Sequence, residues 1–180
     1  MKKNFFKTGI ALLFALSITT ACSEDDDSVE IVPDESSITF TISGAVEAVK
    51  SGVATIGQTQ VGGNYTIRIR GNDGDEERDQ SYTLDFARGP QPNPLPSPEP
   101  GTYSLSNLVE AAGQGYYVLF VDRPFGDTRE FGGSEASGEL IITEVNDDFV
   151  EGTFSFTAKS NDTEEVIEVT NGQFKANNNL

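Results

Sequence analysis

Histidine and tryptophan are absent from this chain of 180 residues, and cysteine occurs once. Without histidine there is no Ser-His-Asp or Cys-His catalysis and no imidazole ligand for zinc. Without a second cysteine there is neither a thiolate metal site nor an internal disulfide, so a folded domain must be held together by its core. Without tryptophan the strongest stacking platform for sugars and cations is missing. Positive charge is scarce as well: 12 Lys and Arg stand against 29 Asp and Glu, a formal net charge of −17. Such a chain repels nucleic acid, whose affinity comes mainly from cationic contacts to phosphate, and self-repulsion should keep it soluble and monomeric. The sequence has no glycine-rich phosphate loop, dinucleotide fingerprint or nucleophile elbow, so no cofactor is expected. A long apolar run is lacking too. The stretch from Gly9 to Ile18 is about ten residues, whereas a membrane-spanning helix takes roughly 20.

What that short run does fit is an export signal. Lys2, Lys3 and Lys7 make a basic start, Gly9 to Ile18 an apolar centre, and Thr19-Thr20-Ala21 a small-residue break before the lone Cys22. Charged start, short centre and small residues mark a cleaved signal peptide, here residues 1–21. Ala21-Cys22 resembles the bacterial lipobox, which implies that Cys22 becomes the lipidated first residue of the mature protein. Ser23-Glu24-Asp25-Asp26-Asp27 resembles the signal that carries Bacteroidetes lipoproteins to the cell surface, implying an outer-membrane, lipid-anchored location. Each acyl chain contributes about 0.8 kcal/mol per buried methylene, and two chains suffice for stable anchoring. Residues 22–35 then read as an acidic tether that its own charges and the anionic membrane surface keep extended. Residues 1–21 hold three lysines and no acid, so the remainder carries 9 basic residues against 29 acids, near −20.

From Ser36 the dominant rhythm is period two. Ile38, Phe40 and Ile42 alternate with Thr39 and Thr41; Tyr65, Ile67 and Ile69 with Thr66, Arg68 and Arg70; Tyr82, Leu84 and Phe86 with Thr83 and Asp85; Phe154, Phe156 and Ala158 with Ser155 and Thr157. Alternation of β-branched and aromatic residues with polar ones predicts strands with one buried and one wet face. Tyr116 to Val121 is apolar at every position and predicts a central strand covered on both faces. Nine or ten strands follow, near 36–43, 45–50, 53–59, 64–71, 80–87, 101–105, 116–122, 137–145, 149–159 and 164–175. Turn residues such as Gly62-Gly63-Asn64 and Asn146-Asp147-Asp148 separate them, and no stretch carries a helical period beyond one turn at 106–112. The expected fold is all-β: an antiparallel β-sandwich, with a closed β-barrel as the alternative, in a single domain over residues 36–176.

Two local features are sharper. Ile167 and Val169 share a face, yet Phe174 lies five residues past Val169 and would point the other way. Asn171-Gly172 between them readily adopts positive φ, which predicts a β-bulge that returns Phe174 to the core. Between Gly89 and Gly101 a proline stands at every second position from Pro90 to Pro100. Proline lacks the ladder donor, so 89–101 is expected to arch outside the sheet in polyproline-II conformation, a stiff connection or a docking ridge.

Gly101-Thr102-Tyr103, Gly138-Glu139-Leu140-Ile141-Ile142-Thr143, Gly152-Thr153-Phe154-Ser155-Phe156 and Thr170-Asn171-Gly172-Gln173-Phe174 occur in this order over roughly the last 80 residues. This succession resembles a family of uncharacterised Bacteroidetes surface lipoproteins. The resemblance implies a compact β-domain on a lipid tether and brings no functional residues with it.

Three candidate sites remain. Asp73, Asp75, Glu77 and Asp79 alternate through an acidic turn and offer hard oxygen ligands for Ca²⁺, but the spacing lacks the glycine and final glutamate of an EF-hand; a solvated hairpin tip is the favoured reading, and no metal is expected. Tyr116, Tyr117, Phe125 and Phe131 surround a glycine-rich loop at 122–134, where aromatics either bind glycan or protein or cap the core. Paired carboxylates for glycoside hydrolysis are not specified by any motif. The expectation is a non-enzymatic, lipid-anchored surface domain for binding or adhesion, with a glycan or protein as partner. A carbohydrate-active hydrolase or its accessory subunit, and a structural envelope component, are the alternatives.

Overall fold

The computed structural model describes residues 35–73, 80–107, 115–124 and 127–180, and every regular element among them is a strand. The signal peptide, Cys22 and the tether up to residue 34 lie outside the described residues. The nine strands are β1 (Ser37–Gly44), β2 (Ala48–Val61), β3 (Asn64–Asn72), β4 (Gln80–Gln91), β5 (Gly101–Ser106), β6 (Tyr116–Pro124), β7 (Arg129–Val145), β8 (Phe149–Ser160) and β9 (Val166–Asn179). They form one sheet in the order β1-β2-β3-β4-β6-β5-β7-β8-β9, and β9 pairs back onto β1, so the sheet closes on itself. The ladders are antiparallel except for β5 with β6 and β2 with the end of β9, which makes the sheet mixed.

Closure depends on two long strands that change partners along their length. β2 pairs with β1 up to Gly52 and with β3 from Val53 onward. A Cβ at Gly52 would lie 1.9 Å from the Asn72 carbonyl oxygen, so only glycine lets the chain pass there. The two strands expected at 45–50 and 53–59 are therefore one. β7 pairs with β6 at Arg129 to Phe131 and with β5 at Gly138 to Ile142. Its bend falls at Gly132, whose φ of +103° belongs to glycine. Most of the loop expected at 122–134 is therefore strand.

The alternating residues bury the expected face: Ile38, Phe40, Ile42, Ile67, Ile69, Tyr82, Leu84, Phe86, Phe154, Phe156 and Ala158 are all in the core. Rings from strands that are not sheet neighbours meet in the middle. Phe40 of β1 lies 6.1 Å from Phe120 of β6, and Phe86 of β4 lies 4.8 Å from Phe154 of β8. Opposite walls thus touch through their side chains, and a sandwich-like core fills the closed sheet. Each such ring contributes about 1.5–3 kcal/mol by burial, with edge contacts adding about 0.5–1.5 kcal/mol.

The predicted bulge is present. Asn171 has φ of 53°, and both ladders of β9 slip by one residue beside it, opposite Thr39–Thr41 and opposite Phe154–Phe156. Phe174 is buried with Ile167, Val169 and Ala176. The two residues divide the work: Asn171 takes the left-handed conformation, whereas Gly172 makes room, since a Cβ there would lie 2.4 Å from the Phe154 ring.

The proline segment departs from expectation at its start. Residues 89–91 belong to β4, across an irregularity in pairing with β3 that ends at Tyr65↔Gln91. Proline is tolerated at such a bulge because the missing donor is not needed there. Residues 92–100 do arch outside the sheet, but they are docked to it. Pro98 is buried, Leu95 packs on the core, the Gln58 amide donates to the Leu95 carbonyl at 3.0 Å, and the Tyr103 hydroxyl donates to the Glu99 carbonyl at 2.7 Å. Tyr116 to Val121 also differs in part. Tyr116, Val118 and Phe120 face the core, while Tyr117 and Leu119 are only half-buried on the outer face.

Candidate functional site

Strand parity places the sequence candidates. Tyr116 and Phe131 are fully buried core residues, so neither offers a ring to a ligand; the strand alternation that carries them inward outweighs their position near a glycine-rich stretch. Tyr117, one residue on from Tyr116, stands half-exposed on the outer face of β6. Phe125 lies outside the described residues. Of the acidic turn, Asp73 follows β3 while Asp75, Glu77 and Asp79 lie outside the described residues. Among the described residues no group of three His, Cys, Asp or Glu side chains could hold a metal ion.

Two charged clusters that the sequence reading did not single out are assembled by the fold. The first sits inside one end of the closed sheet. Asp122 of β6 points inward beside Tyr82, only 3% exposed, and meets Lys50 Nζ of β2 at 3.0 Å and Arg129 of β7. Arg129 also donates to the Ala45 carbonyl at 3.3 Å, and Lys50 lies over the Tyr82 ring at 5.6 Å. One carboxylate with two cations bridges three strands drawn from opposite parts of the ring. Burial, with Asp73 adding to it, pushes the Tyr82 phenol well above the ordinary tyrosine range.

The second cluster lies on the outer face of β3, β4 and β6. Arg70 grips Asp85 through Nε and a terminal nitrogen at 2.8 and 3.0 Å, a bidentate fork, and Arg68 approaches the same carboxylate at 3.9 Å. Register makes this cluster: Arg70 is paired with Asp85, Asp85 with Leu119, and Ala87 with both Arg68 and Tyr117. The hydrogen bond to Asp85 raises the Arg70 pKa further, with Tyr117 adding to the effect. Arg68 and Arg70 alternate with Ile67 and Ile69 in sequence, so their common face was legible. Their shared carboxylate was not, because it depends on the β3–β4 register.

Two depressions, of about 180 and 280 Å³, lie over the β9 bulge at Glu139, Phe154 and Gly172 and over the β8–β9 turn at Lys159, Asn161 and Glu164. Both fall below the roughly 300–1,000 Å³ typical of small-molecule pockets. No helix among the described residues is long and apolar enough to cross a membrane.

No curated protein and no solved structure matches this chain. The model of a family described as a domain of unknown function, DUF6252, matches residues 94–176, from within the proline arch to Ala176 of β9, so the second half of the closed sheet is similar to that uncharacterised domain family.

Proposed function

We propose that this chain is a bacterial surface lipoprotein, anchored to the outer membrane through acyl groups on Cys22, whose β-domain works by binding or adhesion and not by catalysis. One observation carries the binding reading: aromatic side chains from opposite walls fill the inside of the closed sheet, so recognition falls to the outer surface. The two buried carboxylates of the described residues support it further. Asp85 and Asp122 are each engaged by two cations, which commits them to structure and leaves neither poised as a general acid or nucleophile. The tether fits the location. Fourteen residues separate Cys22 from Ser37, enough to span about 50 Å when extended.

The test has two arms. Cells making the full chain are fed an alkyne analogue of palmitate, and intact cells are treated with a protease. The wild-type chain takes up the label and is cleaved on intact cells, while Cys22→Ala takes up none. An unlabelled wild-type chain, or one protected until the cells are broken, overturns the assignment.

A further inference from the structure

The chain's six arginines all lie between Arg68 and Arg129, within a sequence of net charge −17. Three of them, Arg68, Arg70 and Arg123, share the outer face of β3, β4 and β6; of the two acids on those strands, Asp122 points inward and Asp85, 6% exposed, lies beneath the arginines. The outer face of β7 to β9 is the reverse, with Glu139, Glu144, Glu151 and Glu168 against Lys159 and Lys175. Charge is thus sorted between the two walls of the ring.

We propose that the outer face of β3, β4 and β6 is a docking strip for a carboxylate-bearing polysaccharide, held by Arg68, Arg70 and Arg123 against Tyr117 and Leu119. The inference rests on the binding role proposed above and names its site and ligand class. The arginine side chains are 37% exposed at position 68 and 43% at 70, so their charge reaches solvent. Asp85 fixes the Arg70 guanidinium by two of its nitrogens and leaves the other terminal nitrogen outside that fork. Arg68 is held only by a 3.9 Å ion pair, and its buried Nε has no hydrogen-bond partner. Arg123 is steadied by the Thr83 hydroxyl at 3.3 Å. Planar guanidinium forks match carboxylates in two-point contact, which a lysine cannot do.

Shape selects a chain over a small molecule. Neither depression described above is lined by Arg68, Arg70 or Arg123, and a strand face without enclosure gains little from a compact ligand. Arg68 and Arg70 rise from one strand about 6.6 Å apart at the backbone, and Arg123 stands two strands away on β6, so positive charge is spread over the face as a polymer with recurrent carboxylates requires. Half-buried Tyr117 and Leu119 on β6, across β4 from the two arginines, give sugar rings an apolar surface. The acidity of the remaining surface confines a polyanion to this one wall.

The probe is polygalacturonate, compared with a neutral dextran and with heparin, and binding is read by gel retardation of the full chain carrying Cys22→Ala. Retardation by polygalacturonate and not by dextran is expected, weakening as salt is raised. Arg68→Gln with Arg70→Gln and Asp85→Asn should weaken it by about tenfold or more. Arg123→Gln, on an exposed side chain, should weaken it without touching the buried carboxylate, and Lys159→Gln with Lys175→Gln on the opposite wall should leave it unchanged. Unaltered retardation in both arginine variants, equal binding of dextran, or no binding of polygalacturonate overturns the proposal. So does a response to heparin alone, which would assign the strip to sulfate. A chain that takes up the lipid label yet ignores polygalacturonate refutes this strip while the surface anchor stands.

Discussion

Removing the Asp122 carboxylate is the sharpest test of how the ring is held at one end. Asp122→Ala leaves Lys50 and Arg129 without their shared partner. The Lys50 side chain is 16% exposed and Arg129 is 34% exposed, so the two losses are unequal. Arg129 can be rehydrated and keeps the Ala45 carbonyl. Lys50 cannot, and the Tyr82 ring at 5.6 Å compensates little. Stripping one member from a buried pair costs about 3–5 kcal/mol, and partial hydration of Arg129 places this case at the lower end, about 3 kcal/mol. For a domain of this size that corresponds to a fall in Tm of about 6–12 °C. The assay is urea and thermal denaturation of the Cys22→Ala chain, with two companions. Asp85→Ala on the outer wall, where both arginines are more than a third exposed, should cost less than about 1 kcal/mol. Lys50→Met with Asp122→Leu should recover much of the loss, because replacing a buried pair with apolar residues removes the desolvation penalty. An Asp122→Ala chain within about 0.5 kcal/mol of its parent, or equal costs for Asp122 and Asp85, would refute the reasoning.

Three further outcomes are expected. Gly172→Ala should destabilise by about 1–3 kcal/mol, since the new methyl group would sit 2.4 Å from the Phe154 ring, whereas Asn171→Gly should be neutral or slightly stabilising; denaturation midpoints decide both. Phe154→Ala, which removes a ring packed against Phe40, Phe86 and Phe174, should cost about 3–5 kcal/mol; a loss below 1 kcal/mol would mean that the walls do not meet as described. Alkali should unfold the domain through Tyr116, pushed up to about 12 by burial, and Tyr82, raised further. The unfolded phenol ionises near 10, so stability is intact below about pH 10 and falls above it by about 1.4 kcal/mol per pH unit for each ring, until the folded pKa is passed. Denaturant midpoints against pH should show this slope, and Tyr82→Phe with Tyr116→Phe should flatten it.

Much of the fold was written in local alternation. Ile38-Phe40-Ile42 and Phe154-Phe156-Ala158 needed only a period of two, and the β9 bulge followed from the five-position step from Val169 to Phe174. What failed to show was set by long-range register. Nothing near residue 52 says that one strand will serve two partners; Gly52 is required there because the Asn72 carbonyl, twenty residues away, comes so close. Phe131 read as a loop aromatic because Gly132 and Gly133 follow it, yet those glycines bend a strand. The parallel contacts of β5 with β6 and of β2 with β9 have no sequence mark. Asp122, near the end of β6, looked like the start of a loop, so the Lys50–Asp122–Arg129 bridge stayed hidden until β2, β6 and β7 were placed around one mouth.

β1 is the first strand of the ring, and it is zipped along both flanks, to β2 on one side and to β9 on the other. Traction on the chain ahead of Ser37 therefore loads two rows of hydrogen bonds in shear at once, and they must give way together. A strand held at one margin would peel open rung by rung. Force applied at the start of this domain is therefore shared between both flanks of β1.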